Sequence, residues 1–163
     1  MPKPIAYIDR IKEYYQALGY DNPYEWIKFN NIPFTQPSKP ANQCNLAIIT
    51  TAAPFKPGAG EQGSGAPYNG AAKFFQVYSQ NIDPEPKLYI SHVAIDRAHT
   101  STKDQATYFP LPALKQLCEA GEIGTINHRF FGLPTNRSQR ISQDIDAKEI
   151  MRCCREDEVD VAI

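Results

Sequence analysis

The residues best suited to acid–base chemistry lie in one short stretch of the sequence, from His92 to Asp104. His92 and Asp96 are four residues apart, so a β-strand would carry both on one face but roughly 13 Å apart, at about 3.3 Å per residue. They can share a metal ion only if the strand ends between them. His92 has two interpretations, a proton donor or substrate ligand and a buried histidine that is only hydrogen-bonded. We take His92 and Asp96 as the candidate catalytic residues.

The residues that follow this pair are candidates for substrate binding. Asp96 and Arg97 come at the predicted carboxyl end of a strand, where they could form an ion pair or offer the guanidinium to a carboxylate. His99 and Asp104 lie in the next loop, and together with Asp96 they could bind a divalent ion. Their spacing matches no established ligand pattern, so we predict no metal site and no resident cofactor. We assign Arg97, His99 and Asp104 to substrate binding.

A second basic group, Arg137 and Arg140, flanks Ser138 and Gln139 in a polar stretch. Arg129 comes shortly before it, in a predicted strand. A guanidinium holds a carboxylate or phosphate through two parallel hydrogen bonds, so such a group suits a small carboxylate substrate. The alternative is that these arginines are solvated and bind nothing. We take Arg137 and Arg140 as further substrate-binding candidates.

The four cysteines, Cys44, Cys118, Cys153 and Cys154, form no CxxC pair and no zinc-site spacing with histidine. Cys44 precedes the first predicted strand, at the end opposite the expected site, and Cys118 falls on the apolar face of a predicted helix. Cys153 and Cys154 are adjacent on a helix and point about 100° apart, so we expect one buried and one exposed. The sequence predicts four free thiols, none with an activating neighbour.

Composition excludes several functional classes. The chain has 163 residues, 42% of them hydrophobic and 21% charged, which is typical of an ordered globular domain. Its 17 basic and 18 acidic side chains give no field for nucleic acid or anionic lipid. No apolar run approaches the roughly 20 residues of a membrane span, and the first residues do not resemble a signal peptide. We therefore expect a cytoplasmic protein that binds neither nucleic acid nor membrane.

The N-terminal part, residues 1–43, is predicted to wrap the outside of the domain. Apolar residues recur every three or four positions from Pro4 to Leu18, which predicts an amphipathic helix that ends at Gly19. A short second helix over 24–29 and an extended proline-rich segment follow.

The remaining residues, 44–163, are predicted to form the sheet-containing core of a single α/β domain. The continuous apolar run from Asn45 to Thr51 is typical of a central strand covered on both faces of a parallel sheet. The glycine-rich stretch 58–70 lacks both phosphate-binding signatures, so we interpret it as a mobile lid. The predicted strands are Asn45–Thr51, Lys87–Ile95, Ile123–Leu133 and Val159–Ile163, and the predicted helices are Leu111–Ala120 and Ala147–Arg155, the latter capped by Asp146.

The last predicted strand has no loop after it. In open α/β sheets the ligand binds beyond the carboxyl ends of the strands, so we expect this sequence to be the front part of a longer protein. The alternative is an edge strand at which the domain ends. An unpaired sheet edge would favour self-association, and we expect a homo-oligomer.

Several segments, in order along nearly the whole chain, resemble the reductase selenoprotein B family of glycine, sarcosine, betaine and D-proline reductases, in particular its selenium-free bacterial relatives. The motifs SHxxxDR, YFPL and GEIG are the most specific, because they occur in order at the family spacing. The matching segments are KPIAYIDRIKEYYQALGY, NLAIITTAA, GAPYNGAAKFFQVYS, ISHVAIDRAHTSTKDQATYFPLPALKQLCEAGEIGTINHRFFGLPTNRSQR and REDEVDVAI.

The resemblance implies reductive cleavage of a carbon–nitrogen bond next to a carboxylate, in which a selenocysteine or cysteine attacks carbon and dithiols supply the electrons. In the family the reactive residue follows the strand that corresponds to VDVAI, so no residue of this sequence can inherit that role. The resemblance therefore also implies further reductase subunits or segments as partners. A noncatalytic binding or assembly module with the same fold is the alternative.

Overall fold

The computed structural model describes residues 6–22, 25, 30–32, 34–54, 56–59, 74–90, 103–134 and 138–163. Several predicted features lie outside the described residues. They are the predicted second helix apart from Glu25, most of the glycine-rich stretch, and the candidate residues His92, Asp96, Arg97, His99 and Arg137. The described helices are α1 (Tyr7–Ala17), α2 (Leu111–Glu119), α3 (Gln139–Ile141) and α4 (Ala147–Glu156), and the described strands are β1 (Asn45–Ala47), β2 (Ile49–Thr50), β3 (Ala53–Pro54), β4 (Tyr78–Asn81), β5 (Leu88–Tyr89), β6 (Thr125–Ile126), β7 (Arg129–Gly132) and β8 (Val161–Ala162).

The first predicted strand is central, as its apolar run indicates. β1 lies between β6 and β8 and is parallel to both. Its continuation β2 pairs with β7 in parallel, and β4 closes the far side of β7 in antiparallel pairing. The amide of Phe131 donates to the carbonyl of Ile48 at 2.9 Å, which joins the two ladders. The chain is a mixed α/β protein with a largely parallel sheet.

The sheet separates two cores, because alternate residues of a strand face opposite sides. Leu46 and Ile48 pack on one side with Phe109 and Phe130, both fully buried, and with α2. Ala47 and Ile49 pack on the other side with Phe131 and with α4. Each buried phenylalanine contributes about 1.5–3 kcal/mol of apolar transfer free energy, so these rings account for much of the core.

Two predicted strands are wrong in part. The segment Ile123–Leu133 forms two strands, because the pairing shifts from Leu46 opposite Ile126 to Ile49 opposite Phe131. The shift inserts two extra residues, Asn127 and His128, between β6 and β7. The described portion of the predicted strand Lys87–Ile95 is only β5, which pairs with β3 in a separate antiparallel ladder and not in the parallel sheet.

Helix α2 forms as predicted and ends where Gly121 adopts a positive φ of 74°, a conformation that glycine reaches without steric cost. Leu111 and Leu114 are buried, but the predicted apolar face is narrower than expected. Leu117 is 42% exposed, and Cys118 is half-buried.

The last helical segment starts earlier than predicted. Ser138, and not Asp146, caps it, since the Ser138 hydroxyl accepts a hydrogen bond from the amide of Ile141 at 3.3 Å. Asp146 is buried inside the segment with helical φ and ψ of −65° and −45°. The turn Ser142–Asp146 between α3 and α4 has π geometry, which carries the chain from one helix into the next.

Helix α1 forms where the spacing of apolar residues predicts it, but none of its residues is buried. The described part of the proline-rich segment after it is exposed as well, including the single helical turn at Ala41–Gln43. None of the described helices is long and apolar enough to cross a lipid bilayer.

Gly132 lies directly beneath the ring of Tyr78. A Cβ at this position would overlap the Cε1 and Cζ atoms of that ring. The ring is fixed at this same end, because the Tyr78 hydroxyl donates to the carbonyl of Ala52. Burial raises the pKa of Tyr78, in keeping with a neutral phenol that serves as a hydrogen-bond donor.

We expect Gly132→Ala to lower the free energy of unfolding by about 1–3 kcal/mol, since the added methyl group must displace a fixed ring. Urea unfolding followed by circular dichroism measures the loss. The matched comparison is the same substitution in a Tyr78→Leu background, where the loss should shrink by about 0.5 kcal/mol or more. An equal loss in both backgrounds would show that the ring is not its cause.

Candidate functional site

Of the predicted substrate-binding residues, Asp104 and Arg140 are described, and the structure places them on different elements. Asp104 caps the short helical turn Gln105–Thr107, where its carboxylate accepts from the amide of Ala106 at 2.9 Å. The Thr107 hydroxyl donates to the carbonyl of Asp104 at 2.8 Å. Asp104 is exposed, so its carboxylate shapes a turn and also faces solvent.

Arg140 lies on α3, in the first turn of the last helical segment, and is exposed. The capping residue Ser138 and the neighbouring Gln139 fix this turn; the side-chain amide of Gln139 donates to the carbonyl of Glu25 at 2.7 Å. A guanidinium on an anchored helical turn can receive a carboxylate from solvent. Of the two described candidates, Arg140 is the one whose charge suits the predicted carboxylate.

Arg129 already binds a carboxylate, but one that belongs to this chain. Its Nε and Nη2 atoms donate to the two oxygens of Asp157 at 2.7 and 2.8 Å. The Asp157 side chain is only 7% exposed, and the amide of Asn127 donates to it as well, at 2.8 Å. The Arg129 guanidinium, aided by Asn127, lowers the pKa of Asp157. This pair explains why Arg129 is not a ligand-binding candidate.

A polar pocket of about 360 Å³ lies near the amino ends of the parallel strands, and Asp157 and Asn127 are among its lining residues. The Asn45 side chain donates to the carbonyl of Asp157 at 3.0 Å, and its backbone amide donates to the carboxylate of Asp160 at 2.9 Å. Lys39 pairs with the same carboxylate at 2.8 Å. These contacts join β1, β8 and the end of α4, so the pocket's polar groups are engaged with one another.

On the other side of α4, an apolar groove of about 720 Å³ lies between this helix and the sheet. Thr51 and Leu133, which follow strands β2 and β7, place part of the groove at the carboxyl ends of the parallel strands. Its polar contributions are few, chiefly the side chains of Thr51, Ser142 and Asp160. The lining residues are Ile49, Thr51, Leu133, Pro134, Ser142, Ala147, Ile150, Met151, Cys154, Val159, Asp160, Val161 and Ala162.

All four cysteines are described and all are free thiols, as predicted. Cys44 is buried, and its Sγ lies 3.4 Å from the carbonyl of Pro40. Cys153 is buried, and its pKa is raised by burial and then by the nearby Glu149 carboxylate. Cys154 is half-buried where we expected an exposed thiol, and burial raises its pKa too. Neither thiol of the adjacent pair is activated.

Among the described residues, no group of three or more His, Cys, Asp or Glu side chains could hold a metal ion. Comparison of the chain with known protein families, with curated proteins and with solved structures finds no match. The case for a function therefore rests on the residues and their geometry.

The residues that sequence reasoning missed are the amide and carboxylate groups of the polar pocket and the apolar residues of the groove. Asn45 and Asp160 are 115 residues apart, so no local spacing could pair them. The only sequence signal was the polar tail of the last helix, REDE, immediately before an apolar strand.

We expect Asp157→Asn to lower the free energy of unfolding by about 2 kcal/mol, because it leaves the Arg129 guanidinium without its carboxylate. Breaking a fully buried ion pair costs roughly 3–5 kcal/mol, and Arg129 retains partial contact with water. Urea unfolding measures the change. Glu149→Gln is the matched control, since it removes an exposed ion pair with Arg152 and should leave stability nearly unchanged. Equal losses in the two variants would contradict this role of Asp157.

The same pair makes stability depend on pH. Because the folded-state pKa of Asp157 is lowered, its contribution is full above the unfolded value of about 3.9 and is lost as the pH falls through the folded value. We expect the free energy of unfolding to decline below about pH 4 and the decline to be shallower in Asp157→Asn. In that variant part of the pH dependence of the free energy of unfolding should remain, because Lys39 lowers the pKa of Asp160 as well. Urea midpoints at a series of pH values measure both curves, and superimposable curves would exclude Asp157 as the source.

Proposed function

We propose that this chain is the substrate-holding part of a reductase of the selenoprotein B type, acting on a small amino-acid-like carboxylate. The ordered motifs SHxxxDR, YFPL and GEIG support the relationship. The mixed α/β architecture, with a central parallel strand, is compatible with it. In this proposal the chain is the front part of a longer protein or assembly, with further reductase subunits as partners.

The proposed reaction removes an amine from the carbon next to a carboxylate. A thiolate or selenolate attacks that carbon, the carbon–nitrogen bond breaks, and the amine leaves with the bonding electron pair and takes up a proton. One thiol of a dithiol then attacks the sulfur or selenium, the bond from that atom to carbon breaks, and the carbon takes up a proton to give the deaminated carboxylate. The second thiol closes the disulfide and releases the attacking group as a thiol or selenol. The net products are the amine, the deaminated carboxylate and the disulfide.

The single observation that supports placing the nucleophile outside this chain is the state of its thiols. Cys44 and Cys153 are buried, Cys118 and Cys154 are half-buried, and burial raises the pKa values of Cys153 and Cys154, which disfavours their thiolate forms. A nucleophile needs the thiolate in contact with substrate. We therefore assign the attacking thiol or selenol to another polypeptide or to another part of a longer protein.

In this scheme the chain's own residues orient the substrate. Arg140 binds the carboxylate, with Arg137, Arg97, His99 and Asp104 as further binding residues. His92 and Asp96 serve as the proton donor and acceptor near the leaving amine. Arg140 and Asp104 are exposed, which is compatible with contact to a ligand or to a partner that completes the site.

The second candidate is a noncatalytic binding or assembly module with a reductase-like fold. One observation favours it: the guanidinium of Arg129, which lies in the sheet-containing core, is occupied by Asp157. The two candidates differ in whether the chain takes part in a reductive reaction, and an assembly module in addition need not bind any amino-acid-like carboxylate.

The test uses ligand-observed NMR to measure whether glycine, sarcosine, betaine and D-proline bind to the purified chain. We expect at least one of them to bind, and Arg140→Gln to weaken that binding by about tenfold, the effect of losing one charge-assisted contact of about 1.4 kcal/mol. Arg155→Gln, an exposed arginine at the other end of the same helical segment, is the matched control and should bind as the wild type does.

Three results would count against the proposal. Absence of binding by all four compounds would favour the noncatalytic module. Equal weakening by the two arginine variants would remove Arg140 from the site. Release of the free amine by this chain with dithiothreitol alone would place the nucleophile among its own cysteines.

A further inference from the structure

The side-chain amide of Gln105 takes the place of a neighbouring strand along one edge of β5. Its Oε1 atom accepts from the amide of Leu88 at 2.8 Å, and its Nε2 atom donates to the carbonyl of Pro86 at 2.8 Å. The Tyr108 hydroxyl donates to the carbonyl of Leu88 at 3.2 Å. On its other edge β5 pairs with β3. A two-stranded ladder is marginally stable by itself, so these side-chain contacts help to fix β5.

The turn that carries Gln105 is anchored to the parallel sheet. The hydroxyl of Thr50, the last residue of β2, donates to the carbonyl of Tyr108 at 3.3 Å and accepts from the amide of Ala52 at 3.1 Å. Thr50 is 7% exposed, and a buried hydroxyl keeps its hydrogen-bond partners because water cannot replace them. The turn therefore lies at the carboxyl end of β2, the end at which open α/β sheets bind their ligands.

The two contacts of Gln105 join the points at which one long segment enters and leaves the described fold. Leu88 and Gln105 are 17 positions apart, and we call residues 90–103 between them the acid–base segment. Closing a loop of this length costs conformational entropy, so a contact that already joins its ends lowers what remains to be ordered when a ligand binds. The candidate residues that this segment carries are His92, Asp96, Arg97 and His99.

We propose that Gln105 is a positioning residue of the proposed reductase site, because it fixes both junctions of the acid–base segment at the carboxyl edge of the sheet. This inference rests on the proposed function. Gln105 does not touch substrate in this scheme. Its amide acts as donor and acceptor at once, and an ionised carboxylate or an apolar side chain cannot do both. Asp104 then has a second role, because it caps the turn that carries Gln105.

The first experiment uses ligand-observed NMR to measure binding of glycine, sarcosine, betaine and D-proline to variants of the full chain. We expect Gln105→Ala to weaken binding by about tenfold, since it releases both junctions. Gln105→Glu keeps the length and the acceptor but loses the donor to Pro86, and should weaken binding by about threefold or more. Gln116→Ala is the matched control. It replaces an exposed glutamine on α2 and should bind as the wild type does.

A second measurement reports on the acid–base segment without a ligand. The chain has three histidines, of which His92 and His99 lie within the segment and His128 lies outside it. Their ring-proton resonances are compared by NMR in the wild type and in Gln105→Ala. We expect the resonances of His92 and His99 to shift toward those of histidine in an unfolded peptide, and the resonance of His128 to keep its position. A uniform loss of stability would not shift the segment histidines selectively in the folded chain.

The proposal is overturned if Gln105→Ala binds a compound as tightly as the wild type does, or if Gln116→Ala weakens binding equally. It is also overturned if Gln105→Ala shifts neither segment histidine, or if both already resonate as in an unfolded peptide in the wild type. Absence of binding by the wild-type chain would instead count against the proposed function. The histidine resonances then still decide whether Gln105 holds the segment, so the two failures are distinguishable.

Discussion

The nearly buried carboxylate of Asp157, held by Arg129 and Asn127, connects the parts of this fold that the sequence keeps far apart. It lies where α4 ends, and its two partners come from the junction of β6 and β7. A carboxylate in such a place is stable only when its oxygens are fully hydrogen-bonded, so the junction must adopt a geometry that supplies those donors. The two residues inserted between β6 and β7 are part of that geometry.

Other features follow from this connection. Fixing the end of α4 against β7 sets the helix over the sheet face that carries Ala47 and Phe131, where its own Ile150 packs. The chain then turns at Glu158, a non-glycine residue with a positive φ of 53°, and enters β8 alongside β1. The polar groups at this end bind one another, whereas the opposite side of α4 retains an open apolar groove. The end of α4 is thus held by polar contacts within the chain, whereas an apolar groove lies open beside the helix.

The proposed function depends on these contacts and on the burial of the thiols. Burial makes Cys153 and Cys154 poor nucleophiles, and Arg129 is committed to the fold. The described surface includes an exposed arginine on the first turn of the last helical segment and an apolar groove beside α4. The proposed reductase role accordingly assigns the covalent chemistry to a partner.

The sequence by itself determined the elements whose signals are local. The apolar run at Asn45 predicted the central strand, the leucine spacing and Gly121 predicted α2, and the cysteine spacing predicted free thiols. Tertiary structure alone decided that Ser138 starts the last helical segment, that Ile123–Leu133 is two strands, and that Arg129 binds Asp157. The reason is physical: periodicity and turn residues act over a few neighbouring positions, whereas the partner of a buried charge is chosen by packing between segments that the chain brings together only when it folds.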